Sequence, residues 1–304
     1  MLGVFIEIIV PVFILIGIGV VLHRIFQFDL YTLAKVNIYF IVPGFIFLKL
    51  YETAFSLSLF LSVLTFFSIL IVVLYFVSHL ISRLFGYSRS VRASFTNSIL
   101  FYNSGNYGVP VNDLVFKQDP FAMSIQVIIL TFQNILTFSW GIFALKTVEG
   151  SKVSALLGYF KMPVLYAMLL GIGFNLLDVT VPEFVLIPAD YIADSMIAIA
   201  LLTLGAQVAQ LRLSKNLSVV YVSLIIRLLL GPLIALGIIF VLGIEGITAQ
   251  ALFISSAMPT AVNSAIIAQE YENEPELSAQ IVLASTVFSM ITVTAVISLG
   301  RLLF

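Results

Sequence analysis

Apolar residues fall along the chain in blocks of about 20, the length a helix needs to cross roughly 30 Å of hydrocarbon. Short polar joints separate them. Ten blocks are readable, at approximately Val4–Leu22, Leu33–Leu50, Leu59–Ile81, Val91–Phe116, Phe121–Leu145, Lys161–Leu177, Tyr191–Val208, Leu217–Leu242, Thr248–Tyr271 and Leu277–Leu303. Each predicts a membrane-spanning helix. The fourth and ninth are the least apolar, with Asn, Ser, Gly and Pro where the others carry Leu, Ile and Phe. The first has no basic stretch before it, includes Glu7 and ends in His23-Arg24, so it reads as part of the fold rather than a cleaved signal. The longest joint, Asp178 to Asp190, holds Pro182 and Pro188 and reads as a short interfacial stretch.

Composition sharpens this. Of 304 residues 61% are hydrophobic and 10% charged, where a soluble domain carries about 25% charged residues. Such a chain cannot cover its surface with charge. The expectation is an all-α membrane protein of ten helices, whose solvent is the lipid bilayer. A net charge of −1 gives no basic face for nucleic acid, and the absence of cysteine removes thiolate catalysis, Cys–metal sites and thiol redox chemistry. Neither a cofactor nor a metal site is expected.

Lysine and arginine set the orientation. Joints after odd-numbered spans hold Arg24 and Lys35; Arg83, Arg89 and Arg92; Lys146, Lys152 and Lys161; and Arg212 and Lys215. The opposite side has Lys49, Lys117 and Arg301. The expectation is a multi-pass protein of the cell inner membrane with both termini outside.

The chain also lies over itself at an offset near 150 residues. Pro11 and Gly17-Ile18-Gly19 echo Pro163 and Gly171-Ile172-Gly173, and Pro110 echoes Pro259. Five spans per half, an odd number, place the halves in opposite orientations. Residues 1–148 and 149–304 thus read as inverted five-helix repeats, the plan of secondary transporters, whose interrupted spans mark the substrate site.

The interrupted spans read Phe101-Tyr102-Asn103-Ser104-Gly105-Asn106-Tyr107-Gly108-Val109-Pro110 and Ser255-Ser256-Ala257-Met258-Pro259-Thr260-Ala261-Val262-Asn263-Ser264. Pro110 withholds a donor from the Asn106 carbonyl, and Pro259 from that of Ser255. Orphaned backbone survives at membrane depth only inside protein or beside a wet cavity. If the two breaks meet, four half-helix ends converge. The positive N-terminal ends suit a carboxylate, and the freed carbonyls suit a cation or polar neighbours. A plain Pro/Gly kink is the bland alternative for either span alone.

The stretch Asn103 to Pro110, with Gly108 and Pro110 following the asparagine, resembles the fourth-span motif of the auxin efflux carrier family. Met258 to Asn263, followed by Ala268-Gln269-Glu270-Tyr271, is similar to the ninth-span motif of its prokaryotic members. The resemblance covers essentially the whole chain. It implies a carrier of organic anions, a fold related to bile acid:sodium symporters with crossed, broken helices four and nine, and an elevator-type motion. Helices 3–5 and 8–10 would form the transport domain, moving against a scaffold of helices 1, 2, 6 and 7. Unlike plant members, this chain has no long cytoplasmic loop and carries Ser264 in place of a second proline.

Candidate substrate-binding residues are therefore Asn103, Gly105, Asn106, Gly108, Pro110, Pro259, Thr260, Asn263 and Ser264, joined by Gln133 and Arg227. Gln126, Gln133 and Asn134 share one helical face, lining a cavity or bonding to span four. Arg227, some ten residues into span eight, either attracts the substrate anion or snorkels, or pairs with an acid or with helix-end carbonyls. Asp113 reads as a cap in the first turn after Pro110, with a coupling-ion ligand as the alternative; Gln207 and Asn175 read as packing groups. Neither a zinc-protease His-Glu-x-x-His nor a Gly-x-Ser-x-Gly elbow is present, so an intramembrane enzyme is disfavoured. The expected function is an elevator-type secondary carrier of small organic anions, oriented for efflux. The alternative is a cation/proton antiporter of related crossed-helix fold, which would need midplane carboxylates. A coupling ion, H+ or Na+, and a homodimer through the scaffold helices stay open.

Overall fold

A computed structural model describes residues 1–53, 56–146, 163–210 and 217–304. The basic residues Lys152, Lys161, Arg212 and Lys215, the side chain of Lys146 and the junction of the two halves at 148/149 lie outside the described residues. Among those described there is no strand, only one isolated antiparallel bridge. The helices are α1 (Leu2–Phe26), α2 (Leu30–Glu52), α3 (Leu57–Leu84), α4a (Arg89–Leu100), α4b (Gly108–Phe116), α5 (Pro120–Leu145), α6 (Pro163–Leu176), α7 (Glu183–Gln210), α8 (Leu217–Leu242), α9a (Gly246–Ser256), α9b (Val262–Glu270) and α10 (Pro275–Leu303). Seven of them, α1, α2, α3, α5, α7, α8 and α10, are long and apolar enough to cross a membrane. Their outward faces expose Phe76, Phe184, Val241 and Leu302, surface that water would not tolerate on this scale but lipid does.

Helix starts follow local chemistry. Ser56, Ser88 and Asp119 cap α3, α4a and α5, each side-chain oxygen accepting a backbone N–H from the first turn. Within the long helices, prolines are met by widened turns. A π-helical turn at Phe5–Ile9 precedes Pro11, one at Asn37–Ile41 precedes Pro43, and one at Ile226–Leu230 precedes Pro232. A proline has no N–H for the carbonyl four residues back and its ring crowds that carbonyl, so the wider turn absorbs the misfit.

One expectation is corrected. The interval Asp178 to Asp190 is not a joint throughout: α7 begins at Glu183 and runs through Pro188. A proline six residues into a helix looks like a stop in sequence, yet packing on α1 and α2 holds the helix together. Spans four and nine are each split into two helices by a run of non-helical residues.

Packing falls into two groups. α7 lies along α1 and α2, and α2 along α6. α3, α4a, α4b, α5, α8, α9a, α9b and α10 pack on one another, with α5 also touching α2 and α6, α4b touching α1 and α7, and α10 touching α1. The first group is drawn tight by glycine. A Cβ on Gly19 would stand 2.3 Å from the Leu202 carbonyl oxygen, and one on Gly205 2.0 Å from that of Ile16, so the backbones of α1 and α7 touch directly. Gly171 does the same for α6 against Phe47 of α2. Small residues at such contacts are how membrane helices gain van der Waals packing without a hydrophobic drive. Gly17 and Gly173, in the same sequence repeat, have nothing within 4 Å.

Gly19→Ala and Gly205→Ala should therefore each lower the melting temperature of the detergent-solubilised protein, with about 1–3 kcal/mol lost to overpacking. Gly17→Ala serves as the control and should leave it unchanged.

Candidate functional site

The α4a–α4b break runs from Phe101 to Tyr107, and the α9a–α9b break from Ala257 to Ala261. They join each other. The Asn103 N–H donates to the Pro259 carbonyl at 2.8 Å, and the Ala261 N–H donates to the Phe101 carbonyl at 2.8 Å. Tyr102 and Thr260 sit face to face as a single antiparallel bridge. Each break thus supplies what the other lacks, a two-residue sheet at a depth where lone backbone groups would cost several kcal/mol.

The remaining carbonyls are met by side chains. At the end of α4a, the Ser98 carbonyl accepts from Thr260 Oγ1 at 2.9 Å, that of Ile99 from Arg227 Nη1 at 2.9 Å, and that of Leu100 from Gln133 Nε2 at 3.2 Å. Inside the break, Ser104 accepts from Gln126 Nε2 at 2.6 Å. At the end of α9a, the Ser256 carbonyl accepts from Arg227 Nη2. Gln126 and Gln133, seven apart on α5, thus brace the neighbouring break. Gly108 makes room for this: a Cβ there would stand 2.5 Å from Gln126 Nε2.

Beside the crossing lies a small recess. Its floor is Tyr102 to Asn106 from one break, Ala261 from the other, and Val262 and Asn263 of α9b; its walls are Asn37 of α2, Gln133, Asn134 and Thr137 of α5, Val164 of α6 and Gln207 of α7. Seven carboxamides line it (Asn37, Asn103, Asn106, Asn134, Asn263, Gln133 and Gln207), and among the described residues no charged side chain does. Several are only partly used. Asn37 Nδ2 donates to Asn106 Oδ1 at 3.1 Å, but Asn37 Oδ1, Asn103 Nδ2, Gln133 Oε1 and Gln207 Oε1 are buried without a hydrogen-bond partner. Asn103 is 5% exposed and Gln133 3%. A buried amide atom left unpaired costs about 1–3 kcal/mol, so the recess is polar, pre-formed and unsatisfied. The first turn of α9b adds a positive dipole end of about half a charge.

The sequence candidates divide accordingly. Asn103, Gly105, Asn106, Asn263 and Gln133 line the recess. Thr260, Pro259 and Gly108 sit behind it and build the crossing, while the Ser264 hydroxyl donates to the Ala261 carbonyl at 2.6 Å. Pro110 lies inside the first turn of α4b, not in the break, because a proline needs no donor there. For the same reason Asp113 is near the end of α4b rather than its start, and its carbonyl accepts the Lys117 and Gln118 N–H groups. The Ser255 carbonyl, expected to be free, accepts the Met258 N–H at 3.2 Å. Arg227 is 0% exposed, does not line the recess, and directs its guanidinium to two carbonyls and to the Tyr102 ring, 4.9 Å from its centroid. Gln207, read as packing, lines the recess instead; its place near the end of an apolar helix gave no sign of which neighbour it faces. Asn175 is a packing group, donating to the Tyr51 and Thr53 carbonyls at the end of α2.

A second cavity, lined by Phe45, Lys49, Glu52, Asp113, Gln118 and Asp194 among others, is charged, with Lys49 and Glu52 paired at 3.5 Å. None of the candidate residues reaches it.

Comparison with known proteins gives a consistent picture. A family profile described as membrane transport protein matches residues 148–297. An uncharacterized transporter of Methanothermobacter thermautotrophicus is 26% identical over 274 residues, covering 87% of each chain. An uncharacterized transporter of Methanocaldococcus jannaschii is 24% identical over 150 residues, 48% of each.

The bracing of the crossing is testable by a double-mutant cycle. Gly108→Ala and Gln126→Ala should each destabilise the folded protein, the first by displacing the amide and the second by stranding the Ser104 carbonyl, about 1–3 kcal/mol apiece. The double variant should cost clearly less than the sum, because once the amide is gone the added methyl meets only the Asn103 carbonyl oxygen, at 3.3 Å.

Proposed function

The chain belongs to the auxin efflux carrier family of membrane transport proteins and is a transporter rather than an enzyme; from that premise we propose that it carries small organic anions, carboxylates foremost, across the cytoplasmic membrane. One observation carries this reading: the recess at the crossing of the two broken helices, walled by partly unsatisfied amides and faced by the first turn of α9b. A carboxylate accepts from amide N–H groups and is favoured at a helix N-terminus. Asn103 Nδ2 offers the solute a free donor, the unpaired oxygens of Asn37, Gln133 and Gln207 accept from any hydroxyl it carries, and no fixed counter-charge slows its release.

The ten spans are two inverted repeats of five. Helices α1, α2, α6 and α7 form the scaffold, and α3 to α5 with α8 to α10 form the transport domain. The close glycine contacts within the first group support the division. The crossing travels with the transport domain in an elevator-type motion, so Asn103 and Asn263 move together while Asn37 and Gln207 stay with the scaffold. Both termini lie outside. An inside-negative potential drives an anion outward, each charge gaining about 2.3 kcal/mol per 100 mV, so efflux needs no coupling ion. The antiporter alternative is not favoured, because no carboxylate is found among the described residues lining the recess.

Currents from reconstituted vesicles on a solid support test this. A panel of mono- and dicarboxylates should evoke saturable currents in the wild type. Asn103→Ala and Asn263→Ala should reduce them about tenfold or more, as expected for about 1.4 kcal/mol or more of lost binding, while remaining folded in detergent. Currents evoked only by sodium or pH jumps would contradict the proposal.

A further inference from the structure

The C-terminal ends of α4a and α9a meet at the crossing, and each such end carries about half a negative charge from its unpaired carbonyls. Together they present about one unit of negative potential in the protein interior. Broken helices in secondary transporters use such ends, with unwound carbonyls, to coordinate sodium or protons. Here the position is filled from within. Arg227 sends Nη1 to the Ile99 carbonyl of α4a and Nη2 to the Ser256 carbonyl of α9a, with its guanidinium over the Tyr102 ring. Its side chain is fully buried, and the described residues include no carboxylate in ion-pair contact with it. Its charge is balanced by backbone.

The local structure is arranged for this. Arg227 lies in the π-helical turn Ile226–Leu230 of α8, directly before Gly231 and Pro232. A Cβ on Gly231 would stand 3.2 Å from Arg227 Nη2, so the residue that lets the guanidinium fold back along its own helix is a glycine. The planar fork reaches two carbonyls on two helices at once, which a compact ammonium cannot do from the same backbone position.

We infer that Arg227 is a resident cation: it occupies the place at the crossing where a coupling ion would bind, ties the two half-helices together, and makes the crossing insensitive to sodium. The inference rests on the crossing geometry and holds whichever solute the recess takes. It assigns Arg227 a positioning and ion-selectivity role rather than contact with substrate.

Thermal unfolding of the purified protein in detergent, in sodium chloride against choline chloride, tests it without any substrate. The wild type should melt at the same temperature in both salts. Arg227→Ala should melt lower in choline and regain part of the loss specifically in sodium, because sodium enters the vacated carbonyl site. Arg227→Met, which fills the space without charge, should melt lower in both salts with no sodium response. Sodium-specific stabilisation of the wild type would overturn the inference, as would an Arg227→Ala variant that melts like the wild type or that is destabilised without responding to sodium. If Arg227→Ala does not fold, Arg227→Lys decides: its ammonium keeps the charge but reaches one carbonyl of the two, so a folded protein that melts lower than the wild type and ignores sodium supports the resident-cation role, and failure to fold, wild-type melting, or sodium-specific stabilisation of this variant contradicts it.

Discussion

Two backbone hydrogen bonds hold the centre of this protein: Asn103 N–H to the Pro259 carbonyl and Ala261 N–H to the Phe101 carbonyl. Breaking a helix inside a membrane leaves donors and acceptors that neither lipid nor the helix itself can satisfy. One break alone would be a defect. Two breaks placed against each other exchange those groups, and the exchange fixes the crossing point of the chain. Everything around it follows from the groups left over: the amides of α5 take the Leu100 and Ser104 carbonyls, Arg227 takes Ile99 and Ser256, and Thr260 takes Ser98.

The two kinds of helix end at the crossing have separate fates. The carbonyl ends, α4a and α9a, are bridged by a buried guanidinium. On the amide side, the α9b end opens onto a recess whose side chains are short of partners. On the proposed reading, the arrangement sets an anion-binding recess beside a position that Arg227 already fills. It separates rigidity, which Arg227 supplies, from recognition, which must stay reversible.

Sequence alone made the helices and the special character of spans four and nine legible, because apolar blocks of membrane length and clustered Asn, Gly and Pro are local signals. It misplaced the first break. Pro110 marks the first turn of α4b, where a missing N–H is harmless, whereas Pro259 lies within the other break, so one residue type marked two different places. The error carried Asp113 with it, from a helix start to a helix end. Pro188 did not end a helix because tertiary packing overrides the local penalty. Arg227 stood out as a charge in an apolar helix, but its partners are carbonyls more than a hundred residues away in one case, and no pattern of side chains encodes a carbonyl. Gln207 was passed over for the same reason: its meaning comes from Asn37 and Asn103 across the recess, which only the fold brings near.

The most direct measurement is the location of a bound ligand. Crystals soaked with a bromine-substituted carboxylate, examined by anomalous scattering, would place the anion independently of any transport assay. The account predicts bromine density in the recess, with the carboxylate against Asn103, Asn263 and the first turn of α9b. Density confined to the charged cavity at Lys49, with the amide recess empty at saturating ligand, would contradict it.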